Sequence, residues 1–141
     1  AVPTYTVSFR VPGQASGKAR PRVVRGGQLT YTPDPGGFVK RVAEAGVVCR
    51  QELGVTMMEE GAVWMTVLVK RAMPKDWSRA RKERERGLYA VRTPDLVNIA
   101  AAICDALEGV FYSNDNQVAA LSAAQTWADV AETEIRLLAP W

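Results

Sequence analysis

The segment 62–70 is a nearly unbroken apolar run, and it constrains the fold more than any other part of the chain. A run of this length, rich in β-branched residues, is typical of a strand. Strands that are apolar on both faces usually lie in the middle of a sheet and are covered on both sides. We therefore expect a central strand here, with other strands beside it and both of its faces covered.

Three further segments read as strands of the same sheet. Residues 4–10 alternate apolar and polar side chains with a period of two, which indicates a half-buried strand. Residues 117–127 and 130–138 are expected to form the last two strands. Residues 12–37 are rich in Gly and Pro, so we expect loops with one short hairpin there. The sheet should have about four strands.

Two segments have the periodicity of amphipathic helices. Apolar residues recur every three or four positions in 38–53, and Gly54 is a natural stop. The pattern is closer still in 96–108, where Gly109 follows. With 141 residues and 48% hydrophobic content, the chain suits a single domain, 1–141. We predict an α+β fold: a small mixed β-sheet with two main helices packed on it.

Composition excludes several kinds of chemistry. The chain has no histidine, which removes Ser-His-Asp and Cys-His catalysis and any histidine proton shuttle. Cys49 and Cys104 lie in apolar stretches, as expected for buried, reduced thiols of a cytosolic protein. No apolar run approaches the roughly 20 residues that cross a bilayer, and the N-terminal segment does not resemble a signal peptide. We expect no membrane partner.

The positive charge of the chain is concentrated in 70–92. This segment holds nine Lys or Arg and three acidic residues, an excess of six, whereas the whole chain carries +3. Ser78 is placed to cap a short helix that ends near Gly87. Such a segment is either a solvated surface or, over 73–92, a basic and mobile DNA-binding segment. Interleaved aromatic residues favour DNA, because their rings can stack on bases.

A second basic stretch, 17–22, follows the first strand. It is either a solvated loop or a phosphate clamp in which Arg forks and backbone N–H groups hold the DNA backbone. The side chains that we expect to contact DNA in the two basic stretches are Lys18, Arg20, Arg22, Lys75, Trp77, Arg79 and Lys82.

Two carboxylates bracket the second helix. Asp95 is placed to cap the helix N-terminus, and Asp115 lies among Ser and Asn residues typical of a turn. Either role alone would account for its residue. However, a strand at 109–112 would bring Asp115 back towards the helix start, so that both carboxylates share one hard cation such as Mg²⁺. Asp105, two turns beyond Asn98, is expected to hold a structural hydrogen bond. Carboxylates beside basic segments are the layout of a metal-dependent nuclease.

The motifs, taken in order, resemble the RusA family of Holliday-junction resolvases, the crossover-junction endodeoxyribonucleases of phages and prophages. The family pattern Pro-Asp-x-Asp-Asn-Leu-x-Lys, then Asp-Ala-Leu-Asn-Gly, then Asp-Asp-x-Gln is matched in most positions by 94–101, 105–109 and 114–117. Segments 11–13, 17–22, 31–33 and 73–78 resemble the family's N-terminal segment and its Met-Pro-x-x-Trp-Ser segment. The resemblance covers about 5–127.

The resemblance implies a homodimer that binds four-way DNA junctions and resolves them by paired, symmetric, Mg²⁺-dependent nicks in the bacterial host cytosol. Asp95 and Asp115 match the first and last catalytic aspartates, and both would hold Mg²⁺, for which Mn²⁺ can substitute. Asn98 would assist them. Two active sites suit a two-fold junction, because it has two equivalent strands to cut.

Three positions depart from the family pattern. Val97 stands where the family has its second catalytic Asp, Ala101 where it has a Lys, and Asn114 where it has the first Asp of a pair. A two-aspartate site is compatible with Mg²⁺, and Lys18 or Lys75 would replace the lost cation. The alternative is a weakened or inactive junction-binding protein of the same fold. A third reading is an unrelated α+β interaction domain.

Overall fold

The computed structural model describes residues 5–19, 22–23, 26–27, 30–31 and 33–139. Two short 3₁₀ turns, Pro35–Gly37 and Asp115–Gln117, accompany the main elements. In chain order, the main elements are β1 (Tyr5–Pro12), β2 (Arg22–Val23), β3 (Thr30–Tyr31), α1 (Phe38–Leu53), β4 (Val63–Ala72), α2 (Arg79–Glu85), α3 (Leu96–Leu107), β5 (Val118–Ala128) and β6 (Glu132–Ala139). The four strands predicted for the sheet and both main helices are confirmed, with bounds that differ by at most two residues.

Four strands form a mixed sheet in the order β1-β6-β4-β5. β6 is antiparallel to both β1 and β4, whereas β4 and β5 are parallel. A parallel pair needs a long crossover, and α2 and α3 lie in the one between β4 and β5. The short strands β2 and β3 form a separate antiparallel pair, which is the hairpin expected within 12–37. The α+β class with a four-stranded mixed sheet is confirmed.

β4 is central, as predicted, but the expectation that both of its faces are covered was wrong. Val63, Met65, Val67 and Val69 are buried in the main core, whereas Trp64 on the opposite face is 45% exposed. The buried residues of α1 and α3 belong to that same core, so both helices cover one face. The apolar run did not reveal this, because β4 also carries apolar side chains on its open face.

The two main helices pack directly against each other. Gly46 of α1 makes this close approach possible, since a Cβ atom at this position would lie 2.8 Å from Cδ2 of Leu107 in α3. The last turn of α3 is thereby fixed relative to α1 and the sheet. Cys49 of α1 and Cys104 of α3 are free thiols, as predicted; Cys49 is buried as expected, whereas Cys104 is only half-buried.

The segment 109–112 is a tight turn and not the expected strand. The Gly109 N–H donates to the Tyr112 carbonyl oxygen at 2.7 Å, and the Tyr112 hydroxyl donates to the Cys104 carbonyl oxygen at 2.6 Å. Tyr112 is fully buried. Because the chain reverses at once under the end of α3, residues 113–117 stay beside the last turn of that helix and do not run back along it.

The basic segment 73–92 is joined to the sheet at several points. Ser78 caps α2, as predicted, by accepting from the Arg81 N–H at 3.1 Å, and α2 itself buries no residue. After α2, the Gly87 N–H donates to the Trp127 carbonyl oxygen and the Ala90 N–H to that of Gln125, both at 2.9 Å. These bonds lay the chain along β5 before it enters α3.

Candidate metal centre and DNA interface

At the N-terminus of α3, Asp95 is a helix cap. Its backbone is extended, and its Oδ1 accepts from the Asn98 N–H at 2.8 Å. This satisfies one of the unpaired N–H groups of the first turn and places a negative charge at the positive end of the helix dipole. The capping role predicted for Asp95 is confirmed. Among the described residues, no hydrogen bond to Oδ2 is recorded.

At the other end of α3, three carboxylates converge. One oxygen each from Asp105, Glu108 and Asp115 lies within 4.8 Å of the other two. Asp105 and Glu108 come from the last turn and the C-cap of the helix, and Asp115 begins the following 3₁₀ turn. We call these three residues the acidic cluster. Asp95 lies outside it, roughly 15 Å along the helix axis from Asp105 at 1.5 Å per residue.

The turn that carries Asp115 is held by its neighbours. The Asn114 side chain accepts from the Asn116 N–H at 3.0 Å, and the Gln117 side chain accepts from the Asn114 N–H at 3.0 Å. The predicted turn is therefore present. The Asp115 carboxylate takes no part in these bonds, and the described part of the chain supplies no hydrogen-bond donor to it. The Asp115 side chain is exposed, so its carboxylate is open to solvent within the cluster.

The loop after β1 brings one cation to the acidic cluster. Nζ of Lys18 lies 2.8 Å from Oδ2 of Asp105, and the Lys18 N–H donates to the Asn98 carbonyl oxygen at 3.2 Å. The neighbouring Gly17 allows this approach, because a Cβ atom there would be 3.1 Å from Cβ of Asn98. The pKa of Lys18 is raised, first by its hydrogen bond with Asp105 and then by the negative charges of Asp105 and Asp115.

One ammonium does not neutralise the cluster. Three carboxylates and Lys18 leave a formal charge of −2, in the last turn of a helix whose carbonyl end already disfavours anions. The charge of the cluster also reaches nearby groups: burial first, then Cys104 and the three carboxylates, raise the pKa of the Tyr112 hydroxyl. Burial and the charges of Asp115 and Asp105 likewise raise the pKa of the Cys104 thiol. A divalent cation is the natural complement of this site.

The donor set also fits such a cation chemically. Carboxylate oxygens are the ligands that Mg²⁺, Mn²⁺ and Ca²⁺ prefer. Two oxygens on opposite sides of one Mg²⁺ are about 4.2 Å apart, twice the Mg–O distance. Oxygens that all lie within 4.8 Å of one another can therefore meet on one ion after small rotamer changes, or hold it partly through water.

Sequence reasoning named Asp115 but set Asp105 aside and overlooked Glu108. A usable signal was present, because Asn98, Ala101, Asp105 and Glu108 follow one another at spacings of three or four on a single helix face. The small side chain of Ala101 leaves that face open. Val97, in the first turn of α3, is 81% exposed.

The side chains expected to contact DNA lie in different environments. Lys18 lies at the acidic cluster, while Arg20 and the side chain of Arg22 lie outside the described residues. Lys75 is exposed, and Arg79 is paired with Glu83 at 3.3 Å on the surface of α2. Lys82, also on α2, is half-buried.

Trp77 has a structural environment of its own. Its ring lies edge-on to that of Trp127 with 4.9 Å between centroids, in a small cluster with Met73 and Ala90. The Arg81 guanidinium lies 3.9 Å from the centroid of the Trp77 ring. These contacts hold the start of the basic segment against β5, and they leave less of the Trp77 ring available to a base.

A carboxylate cluster that fits a divalent cation, with the ammonium of Lys18 against it, suits an enzyme that acts on phosphodiesters. Comparison with known proteins agrees. A family model for the endodeoxyribonuclease RusA matches residues 12–138. The chain is also 31% identical over 139 residues to the uncharacterized protein YqaN of Bacillus subtilis (strain 168), a match that covers 93% of this chain and 94% of that protein.

The chain therefore belongs to the RusA family of endodeoxyribonucleases, as its motifs predicted. Membership implies Holliday-junction resolvase activity and branched DNA as the binding partner. Within the described residues, no helix has both the length and the apolar character needed to cross a membrane.

Proposed function

We propose that this protein is a structure-selective endonuclease that resolves four-way DNA junctions by paired, divalent-metal-dependent nicks. The acidic cluster is the observation that carries this proposal. It offers three carboxylate oxygens within 4.8 Å of one another, with a formal charge that a divalent cation would balance. A homodimer, encoded by a phage or prophage and acting in the bacterial cytosol, would present two such sites to the two equivalent strands of a junction.

Asp105, Glu108 and Asp115 would hold Mg²⁺, with Mn²⁺ as a substitute. When bound, the ion would supply Lewis-acid activation of water and stabilisation of charge on the phosphate. Mg²⁺ is often held by only one or two carboxylates plus waters, so the replacement of family ligands by Val97 and Asn114 is compatible with binding. Two of the carboxylates are attached to α3, whose last turn is fixed against α1, and this keeps them in place.

Lys18 would replace the cation that Ala101 does not provide. Its ammonium lies 2.8 Å from Asp105, and its backbone is bonded to α3 at Asn98. Lys75 was the other candidate, but no contact brings it to the cluster among the described residues. If Asp105 held a divalent cation, the Lys18 ammonium would be available to a phosphate oxygen, where it would stabilise developing negative charge.

We propose Asp95 and Asn98 as further catalytic residues, at the opposite end of α3 from the acidic cluster. Asp95 keeps Oδ2 for a metal ion or water while Oδ1 caps the helix. Asn98, one turn further on, is exposed on the face that leads towards Asp105. Both are proposed as catalytic residues because they match the family motif and share this helix with the acidic cluster.

The alternative is a junction-binding protein of the same fold with little or no cleavage. One observation favours it: the ammonium of Lys18 already pairs with Asp105 and partly offsets the charge that would attract a metal ion. The family's second catalytic Asp is replaced by Val97 and its Lys by Ala101, and both replacements also favour weak or absent cleavage. DNA binding would persist in this case, because phosphate contacts supply most of its affinity.

A nicking assay beside a gel-shift on one labelled synthetic four-way junction tests the proposal. With Mg²⁺ or Mn²⁺, we expect symmetric nicks in two opposing strands and a preference for the junction over linear duplex. Light scattering of the free protein should give the mass of a dimer. Junction-selective binding without nicks at any metal concentration would establish the alternative, and the absence of both activities would refute the proposal.

A further inference from the structure

Arg71, near the end of β4, is a buried cation with unused hydrogen-bond donors. The residue is only 2% exposed. Nη2 donates to the Thr93 carbonyl oxygen at 2.5 Å. Nε and Nη1 are buried as well, and no described residue accepts a hydrogen bond from either of them.

This is an unfavourable state for an arginine. A guanidinium stays charged in proteins, and buried polar groups are almost always paired. Burial, and then the charge of Arg92, lower the pKa of Arg71. A second cation therefore lies near the first and adds to its cost. An anion that accepts from Nε and Nη1 would remove both penalties together.

Arg71 and Arg92 both line one small pocket. Its volume is about 70 Å³, room for about two waters, each of which occupies roughly 30 Å³ in the liquid, or for one small oxyanion. Its walls are formed by Gln14, Ala15, Lys70, Arg71, Ala72, Arg92 and Ala131. No acidic residue is among them.

Arg71 and Arg92 dominate the charge of this pocket. The third basic residue, Lys70, directs its ammonium to Glu134 at 2.8 Å and to Glu132 at 3.9 Å, so its charge is largely offset. No ion pair engages Arg92 among the described residues. The pocket thus presents one buried and one exposed guanidinium, and guanidinium groups are preferred partners of phosphates.

The position of the pocket connects it to the proposed active site. The Thr93 carbonyl oxygen that Arg71 holds lies two residues before Asp95, where α3 begins. The pocket and α3 also share the loop after β1, because Gln14 and Ala15 line the pocket while Lys18 of the same loop contacts Asn98 and Asp105. An anion bound at Arg71 would lie under the N-terminal end of the helix that carries the acidic cluster.

We propose that the pocket at Arg71 and Arg92 binds one phosphate group of the DNA backbone and so fixes where the bound strand enters the site. The assignment of DNA as the source of this phosphate rests on the proposed function. A contact of this kind is independent of sequence, because phosphate contacts set register and orientation and carry no base information.

The first experiment uses inorganic phosphate and no DNA. Thermal unfolding is measured in phosphate and in chloride of equal ionic strength for the wild type, Arg92→Gln, Arg71→Met and the control Arg136→Gln, whose side chain is exposed on β6. Phosphate should raise the Tm of the wild type and the control, because a ligand that binds the folded state stabilises it. It should raise the Tm of Arg92→Gln and Arg71→Met less, by only the general stabilisation that phosphate gives folded proteins.

An equal rise in Tm for all four proteins would refute a phosphate site. Arg92→Gln keeps the test decisive if Arg71→Met does not fold. Arg92 is exposed, and the hydrogen bond to the Thr93 carbonyl oxygen comes from Arg71. Because Arg92→Gln leaves the bond between Arg71 and Thr93 in place, a loss of the phosphate effect in this variant reports on phosphate binding and not on the structural role of Arg71.

The second experiment measures junction affinity by gel-shift over a salt series. Each phosphate contact contributes about 0.9 to the slope of log affinity against log salt. Arg92→Gln should bind the junction more weakly and lower this slope by about 1, while Arg136→Gln should change neither. An unchanged slope together with phosphate-dependent Tm would mean that the pocket takes free phosphate, and DNA would be the wrong source. If the wild type binds no junction, the proposed function fails while the phosphate experiment still decides the pocket.

Discussion

The two ends of α3 carry the same residue type in opposite electrostatic settings. At the N-terminus, Asp95 accepts a backbone hydrogen bond and lies at the favourable end of the helix dipole, so its charge is stabilised by the fold. At the C-terminus, Asp105, Glu108 and Asp115 gather at the unfavourable end with one ammonium between them. The comparison teaches that motif position alone does not identify a metal ligand. Carboxylates whose charge the fold leaves unbalanced are the stronger candidates.

The largest effect should come from Asp115→Asn. Replacing groups that only orient metal ligands costs about 10–100-fold in affinity or activity, so the loss of a ligand should lower the nicking rate at least about 100-fold. Junction binding should be unchanged or tighter, because a negative charge is removed near the DNA. The nicking assay and gel-shift measure both quantities.

The matched control is Glu44→Gln, which removes an exposed carboxylate on α1. It should nick at the wild-type rate. If Asp115→Asn also nicks at that rate, the acidic cluster is not the catalytic metal site, and the contrast between the two ends of α3 loses its functional meaning.

The second largest effect on nicking is expected at Asp95. Two substitutions separate its proposed catalytic role from its role as a helix cap. Asn caps helices as well as Asp does, so Asp95→Asn should keep the free energy of unfolding while abolishing nicking and leaving junction binding intact. Asp95→Ala should lose nicking and also about 0.5–2 kcal/mol of stability, measured by urea unfolding. Wild-type nicking by Asp95→Asn would mean that Asp95 is a cap and nothing more.

Val97→Asp should restore a carboxylate in the first turn of α3. Because Val97 is 81% exposed, the change opens no cavity in the core. We expect a higher nicking rate or tighter metal binding, and a gain of about 0.3–1 kcal/mol from the charge near the helix N-terminus. A gain in stability with no change in nicking or metal affinity would show that position 97 faces away from the ion.

The smallest effect is one of stability, and its sign contrasts with that of Asp95→Ala. Glu108→Gln removes an anion from the negative end of the helix dipole and from a crowded cluster. Without metal, and at low ionic strength, it should stabilise the protein by about 0.3–1 kcal/mol. If Glu108→Gln destabilises the metal-free protein, the cluster is not electrostatically strained and the argument for a cation weakens.

Much of the fold was predictable because its signals are local. The apolar periodicity of 38–53 and 96–108, the alternation of 4–10 and the capping residues Ser78 and Asp95 each act within a few positions of sequence. The structure confirms them. The turn at 109–112 was missed because its driving force is the burial of Tyr112 beneath α3, which periodicity does not report.

The site itself was only partly predictable, since it depends on contacts between distant segments. Asp105 meets Lys18 across 87 positions of sequence. Asp115 joins the cluster because the tight turn keeps it at the end of α3. Arg71 reads as part of a basic surface in the sequence, yet it is buried because it lies on the core side of a central strand. Each outcome follows from tertiary packing and not from the local pattern.

The central claim is that the acidic cluster at the end of α3 holds a divalent cation. Isothermal titration of Mn²⁺ into the metal-free protein, without DNA, tests it most directly. The account predicts one ion per protomer for the wild type and for Glu44→Gln, and loss of this binding in both Asp105→Asn and Asp115→Asn. Stoichiometric Mn²⁺ binding that survives both substitutions in the cluster would contradict it.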